Sequence, residues 1–227
     1  AAYTNVEKAE SEPEKAFAIN TEAVKNVATS CKENDVVLLH ISTDYVFDGK
    51  KQTPYLETDP TNPINIYGAS KLKGEKNIKE ICTKYFIFRT SWLYSQYGHN
   101  FLKTILRYAE EGKPLTITTE QTGTPTNAND LAKVLLQVIA QDSTNYGVYH
   151  YSNSGETTWF GFAEEILKQS EKLKDANLAK TNHYRTFAAR PAYSVLDNTK
   201  AQNTLKVKYI DWQESLQSVL KNKVINL

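Results

Sequence analysis

Residues 36–41 read VVLLHI, an apolar run with no alternation, and a second such run, YFIF, follows at 85–88. A short unbroken apolar stretch between polar residues fits a strand buried on both faces of a parallel sheet. Parallel neighbours need a crossover of a dozen or more residues, usually a helix. The chain supplies crossovers of that kind. Residues 12–34 carry apolar side chains at 16, 19, 23, 27 and 31, close to helical spacing, with Pro13 suited to a first turn. A second helix is expected over about 66–82, after a loop at 44–65 that holds three prolines. Loops this long in compact domains are usually functional.

Beyond the second strand, NFLKTILRYAEEG reads as a helix closed by Gly112, and LTITTE as a strand. NANDLAKVLLQVIAQ reads as a helix capped by Asn127, with Asp130 in its first turn. GVYHYS is a strand and TTWFGFAEEILKQSEKL a helix. A strand near 178–185 and a helix near 212–222 complete the chain. This alternation predicts a doubly wound α/β parallel sheet, with the C-terminal third as a small α/β lobe.

Ligands of such sheets gather at the C-terminal ends of the strands. Ser42, Thr43 and Asp44 stand at one such end, and Thr90, Ser91 and Trp92 at another. Between them, NIYGASKLKGEK places Tyr67 and Lys71 one turn apart on one helical face. A free phenol titrates near 10, and a nearby ammonium lowers that value. A phenol tuned in this way can give or take a proton at a carbonyl or alcohol oxygen, and Thr43 could hold the same oxygen. The small residues at 68–70 would let a ligand come close. Taken singly, Thr43 reads as a cap or turn residue and Trp92 as a packing aromatic.

Charge excludes some classes. The 27 Lys and Arg against 26 Asp and Glu leave +1, with no basic run for nucleic acid or an anionic membrane. No apolar stretch is long enough to span a bilayer, and no signal peptide is visible. Cys31 and Cys82 read as core residues of a reduced, cytoplasmic protein. Residues His40, His99, His150 and His183 are scattered and read as structural, and no cluster suggests a metal site.

The segments ISTDYVFDG, NIYGASKLKGE, RTSWLY, TGTPTNANDLA, YHYSNSGETTW and ARPAYSVLDNTK occur in that order. Together they resemble the dTDP-4-dehydrorhamnose reductase family, within the extended short-chain dehydrogenase/reductase superfamily. The resemblance implies a Rossmann-like fold, with 1–145 as the dinucleotide-binding domain and 146–227 mainly the substrate lobe. It implies that Tyr67 protonates the substrate oxygen and that Lys71 lowers the phenol's pKa and bonds the nicotinamide ribose. Thr43 would bond the sugar oxygen, Asp44 would contact the same sugar, and Trp92 would pack against it. Ala2, Tyr3 and Thr4 match the family's short cofactor-binding segment. Asn20 matches an asparagine that organises the superfamily's proton relay, although a buried asparagine can equally bond backbone. Gln121 and Arg190 lie in motifs facing the nucleotide-sugar cleft, where either could instead be structural.

The implied cofactor is NADPH or NADH, the implied substrate a nucleotide sugar, and the implied state a homo-oligomer; some relatives add magnesium. None of the nine glycines forms G-x-G-x-x-G, the turn that binds the pyrophosphate, and the chain has no methionine. The resemblance therefore implies two preceding strand–helix units, about 60 residues. It also implies weak dinucleotide binding and little activity without them. Two alternatives stay open on the residues alone. One is an epimerase or dehydratase of the same superfamily, with Asp44 as its added carboxylate. The other is a non-catalytic subunit like the regulatory subunit of methionine adenosyltransferase.

Overall fold

The computed structural model describes residues 2–221 of the 227. A short helix not expected from the sequence, α1 (Val6–Ser11), comes first, and the expected helix over 12–34 is a chain of shorter pieces: α2 (Pro13–Phe17), a π-helical turn at Ala18–Glu22, and α3 (Ala23–Glu33). Pro13 opens α2, where its missing N–H costs nothing. The π turn widens the helix by one residue and leaves Asn20 and Thr21 both facing a later helix. Strand β1 (Leu38–Thr43) follows. A single 3-10 turn at Asp44–Val46 opens the long loop.

Helix α4 (Ile66–Ile81) is capped by Asn65, whose side-chain oxygen accepts the Gly68 N–H at 2.7 Å. Strand β2 (Tyr85–Thr90) crosses the centre of the sheet. Then come β3 (Leu93–Tyr94), α5 (Phe101–Glu110), β4 (Leu115–Thr118), β5 (Thr122–Gly123) and β6 (Thr126–Asn127). Helix α6 (Ala128–Ala140) leads to β7 (Gly147–His150) and β8 (Thr157–Thr158). Helix α7 (Trp159–Gln169), β9 (Leu178–Thr181), α8 (Thr199–Leu205) and α9 (Trp212–Lys221) close the chain. Residue 222, the expected end of the last helix, lies outside the described residues.

The main sheet is parallel, in the order β1-β2-β7. Successive residues of β2 face opposite layers. Ile87 packs with Val24, Ala28 and Ile78 of α3 and α4. Phe86 and Phe88 pack with Leu131, Val134, Ala201 and Leu205 of α6 and α8. Helices thus cover both faces of one sheet, the doubly wound arrangement. Burial of β1 is a correction to expectation. Leu38, Leu39 and His40 are half-buried and Ile41 is 40% exposed, because β1 pairs only with β2 among the described residues.

A second core lies beside the sheet. Leu102, Ile105 and Leu115 pack there with Phe162, Ile166 and Leu216. Two short parallel pairs, β3-β6 and β4-β9, and one antiparallel pair, β5-β8, surround it. Its residues come from both before and after 145, so the chain crosses between the two cores several times. Trp92, just after β2, packs against this second core.

Candidate active site

Three segments converge on one cleft of about 540 Å³, a size that suits a small-molecule ligand. The tip of β1 brings Thr43 and Asp44, the first turns of α4 bring Tyr67 and Lys71, and the end of β2 brings Thr90 and Trp92. Ala2 and Thr4 line the same cleft, and so does His40. Of the candidate site residues, Tyr3, Asn20, Gln121 and Arg190 do not border this space. Tyr3 is turned away from it. Its ring is buried and its hydroxyl donates to Glu12 Oε2 at 2.9 Å.

Tyr3 is held there by Asn20. The Asn20 oxygen accepts the Tyr3 N–H at 2.9 Å, and its amide donates to the Tyr3 carbonyl and to Ser70 Oγ, both at 3.0 Å. Both amide hydrogens are therefore engaged in tying the N-terminal segment to α4. These are bonds of the backbone-tying kind. The small residues of α4 serve packing as well. A Cβ at Gly68 would meet the Tyr45 carbonyl at 2.1 Å, so glycine lets the turn after β1 lie directly on the helix.

The electrostatics of Tyr67 and Lys71 correct the expectation of a primed phenol. No hydrogen bond joins them. The Lys71 ammonium donates to the Ile41 carbonyl at 2.6 Å and lies 3.5 Å from His40 Nε2. Burial, and then the charge of Lys71, push the His40 ring down to about 3, so it is neutral and offers a lone pair. Burial pushes Lys71 itself down to about 8, against the opposing pull of Glu75. Tyr67 moves upward, to about 12. Burial is the main cause and the Asp44 charge adds to it, while a hydrogen bond with Thr43 opposes both. The Tyr67 ring meets Tyr45 edge-on at 5.7 Å.

Thr43 sits between its neighbours. Its hydroxyl donates to Asp44 Oδ1 at 3.0 Å and accepts the Tyr45 N–H at 3.2 Å. Burial raises the Asp44 carboxyl to about 6, against hydrogen bonds from Ser194 and Thr43. Asp44 Oδ2 and Thr90 Oγ1 are buried without a hydrogen-bond partner among the described residues. Polar atoms left in this state on a cleft wall are free to recognise a ligand.

A smaller pocket of about 160 Å³ lies beyond Trp92. Gln121, Trp159, Phe101, Tyr184 and Arg190 line it. Gln121 Oε1 accepts the Trp159 indole N–H at 3.0 Å, and Arg190 Nη2 donates to Glu7 Oε1 at 2.7 Å. Glu7 also accepts the N–H groups of Phe187 and Ala188. Both residues of the nucleotide-facing motifs thus carry hydrogen bonds within the protein while they border a pocket. Sequence reasoning missed Trp159, Glu7 and the place of His40 in the cleft wall. The signal for His40 was its alternation with Ser42 on one strand. Nothing local marked the other two.

Among the described residues no group of three or more His, Cys, Asp or Glu could hold a metal ion. No described helix is long and apolar enough to cross a membrane.

Comparison with known proteins gives consistent matches. The family model described as the RmlD substrate binding domain matches residues 1–225. The dTDP-4-dehydrorhamnose reductase of Escherichia coli (strain K12) is 41% identical over 229 residues, spanning 97% of this chain and 77% of that protein. A spore coat polysaccharide biosynthesis protein of Bacillus subtilis (strain 168) is 38% identical, spanning 98% of this chain and 77% of its own. A crystal structure of dTDP-4-dehydrorhamnose reductase from Bacillus anthracis in complex with NADP superposes with a TM-score of 0.94. Identity there is 38%, with 98% of this chain and 79% of that one covered.

Proposed function

The chain belongs to the dTDP-4-dehydrorhamnose reductase family, whose RmlD substrate binding domain model spans residues 1–225, and from that premise we propose the reaction its cleft performs. It is the NAD(P)H-dependent reduction of the C4 keto group of dTDP-4-dehydro-6-deoxy-L-mannose, giving dTDP-L-rhamnose for cell-surface polysaccharide synthesis. The observation that carries the proposal is the convergence of Thr43, Asp44, Tyr67, Lys71 and Trp92 on one cleft from three separate segments.

Reduction of a ketone needs a hydride at carbon and a proton at oxygen. When bound, the reduced nicotinamide supplies the hydride. The residues on the cleft wall fit that group: Lys71 lines the same cleft as Ala2 and Thr4 and would offer an ammonium to a ribose hydroxyl. Tyr67 supplies the proton. With its pKa raised to about 12, it is fully protonated at neutral pH, the state a proton donor requires. A sugar alkoxide is more basic than a phenolate, so proton transfer from Tyr67 runs downhill once charge has built up on oxygen. Thr43 touches the same phenol and is placed to hold that oxygen. Lys71 acts elsewhere than expected. Its ammonium is bonded to the Ile41 carbonyl and does not lower the phenol's pKa in the unliganded fold, so its part is to hold the cofactor end of the cleft. Asp44 Oδ2 is an open acceptor for a sugar hydroxyl, and Trp92 offers a flat apolar wall.

The pocket lined by Gln121, Trp159 and Arg190 is where the nucleotide end would lie. Arg190, paired with Glu7, offers it guanidinium donors and Trp159 an aromatic surface. A homo-oligomeric, cytoplasmic enzyme remains part of the proposal. The deciding experiment adds NADPH and the keto sugar nucleotide to the intact protein and follows loss of reduced-nicotinamide absorbance. The expected outcome is stoichiometric NADPH oxidation and appearance of dTDP-rhamnose. A regulatory subunit would show no turnover, and an epimerase or dehydratase would convert the sugar without net NADPH oxidation.

A further inference from the structure

Trp92 is held in a way its place on the cleft wall does not by itself require. Its backbone sits at φ 45°, a left-handed conformation that costs a bulky residue on the order of 1–3 kcal/mol and persists only where the surroundings enforce it. Its carbonyl accepts the Thr126 N–H at 3.1 Å. Its indole lies flat on that of Trp159, with ring centres 3.7 Å apart and planes 10° apart. Gly123 also abuts the indole. A Cβ at position 123 would fall 2.5 Å from Trp92 Cε2, so only glycine leaves the ring its place.

Trp159 is fixed in turn. Its indole N–H donates to Gln121 Oε1 at 3.0 Å, and Phe101 packs on it at 4.7 Å. The β5-β8 pairing sets Gly123 opposite Thr157, two residues before Trp159, so one antiparallel ladder positions both supports of the Trp92 ring. The stacked pair also forms a partition. Trp92 borders the catalytic cleft, while Trp159 and Gln121 border the smaller pocket.

We infer that Gln121, Gly123 and Trp159 are positioning residues that clamp the Trp92 indole, and that this clamp sets how tightly the cleft holds the sugar. The inference rests on the reading of Trp92 as the wall against which the sugar packs. A rigid, pre-placed aromatic surface loses little entropy when a ligand lands on it, so its benefit appears in substrate binding. The chemistry of proton transfer, carried by Tyr67, is left largely alone.

Two readouts separate the clamp from its purpose. Only three tryptophans are present, and the third, Trp212, lies in the second core against Phe162. Stacked indoles give an exciton couplet in circular dichroism, which reports the Trp92–Trp159 pair without substrate and whether or not the protein turns over. Gly123→Ala should abolish the couplet and raise the KM for the sugar nucleotide roughly tenfold, with kcat within about threefold and the KM for NADPH unchanged. Gln121→Leu, which leaves the ladder intact, should weaken the couplet and raise the same KM by a smaller factor. A couplet of wild-type size in Gly123→Ala and Gln121→Leu overturns the clamp. A lost couplet with an unchanged sugar-nucleotide KM overturns its assignment to sugar binding. Wild-type protein without turnover, but with the couplet sensitive to both variants, supports the clamp while defeating the reductase reading. Should Gly123→Ala fail to fold, Gln121→Leu alone decides between these outcomes.

Discussion

Two buried polar clusters share the same three elements, one residue or one turn apart, and they differ in almost everything else. Ser42 on β1, Glu75 on α4 and Arg89 on β2 form the first. Thr43, Lys71 and Thr90 are the neighbours of those residues and belong to the second, with Asp44 and Tyr67. In the first cluster Glu75 accepts from Ser42 at 2.5 Å and takes both Arg89 Nε and Nη2, at 3.0 and 2.8 Å. The guanidinium also lies 5.2 Å from the Phe47 ring centre. Burial pushes the Glu75 carboxyl up, but the bonds and charge of Arg89, with Ser42, bring it below its usual value. In the second cluster burial wins: Asp44 and Tyr67 are pushed up and Lys71 down, each towards its neutral form. The first cluster leaves Arg89 Nη1 without a partner, but its opposite charges are paired and it is a frame; the second leaves Asp44 Oδ2 and Thr90 Oγ1 unpartnered on the cleft wall and is a site. The free energy withheld from Asp44 and Lys71 in the unliganded fold is available to be recovered when a ligand completes their bonds.

The largest effect that tests this contrast is catalytic. Tyr67→Phe keeps the ring and its edge contact with Tyr45 and removes only the hydroxyl. Turnover of the keto sugar should fall by about 10²–10⁴, while the midpoint of thermal unfolding stays where it was. A variant that unfolded early would move Tyr67 into the frame.

Glu75→Ala should do the opposite. It strands a buried guanidinium, and breaking a buried pair from one side costs about 3–5 kcal/mol. Urea unfolding should shift to a much lower midpoint; in whatever fraction remains folded the KM for the keto sugar should hold, while loss of the charge that opposes burial of the Lys71 ammonium should raise the KM for NADPH.

Third comes Asp44→Asn. In the unfolded chain this carboxyl titrates near its ordinary 3.8, and in the fold near 6. Between those values the folded protein holds a proton that the unfolded chain has lost, so stability falls as pH rises through that window and the deficit persists above it. About two units correspond to on the order of 3 kcal/mol. Asp44→Asn should therefore be more stable than the parent at neutral pH and less active. The advantage should shrink as pH falls from about 6 towards 4. Equal stability of the two proteins across that range would show that Asp44 carries no such burden.

How much of this was legible in the sequence depends on where the information lies. The continuous run through Phe86, Ile87 and Phe88 declared a strand, and Asn127 declared the start of α6, because both signals are local. The pairs β3-β6 and β5-β8 are two residues long and exist only because distant segments meet, so no periodicity announced them. The spacing of Tyr67 and Lys71 did place both on one cleft. It could not show that the ammonium would bond the Ile41 carbonyl, nor that burial and Asp44 would raise the phenol. Charge coupling depends on what fills the space between groups, and that is a tertiary fact. Likewise Trp92 was visible at a strand tip, while its support by Gly123 and Trp159 required the ladder between β5 and β8.

The smallest effect draws the finest line, because it concerns adjacent residues of one strand. Ser42 and Thr43 both carry a hydroxyl, and both are buried. Side chains alternate along β1, so Ser42 turns to Glu75 while Thr43 turns to Asp44 and Tyr67. Ser42→Ala removes one donor from an ionised acceptor that keeps its bidentate pairing with Arg89. A hydrogen bond to a charged group contributes about 1.5–3 kcal/mol, and the retained arginine keeps the loss near the lower end. Stability should drop by that amount and the Glu75 pKa should move upward, so the variant should lose further stability sooner as pH is lowered. Ser42 borders the cleft, but its hydroxyl bonds Glu75 alone, so kinetic constants for the keto sugar should change little. If Ser42→Ala slows turnover while leaving stability intact, the frame and the site are one network, and the boundary between positions 42 and 43 does not exist.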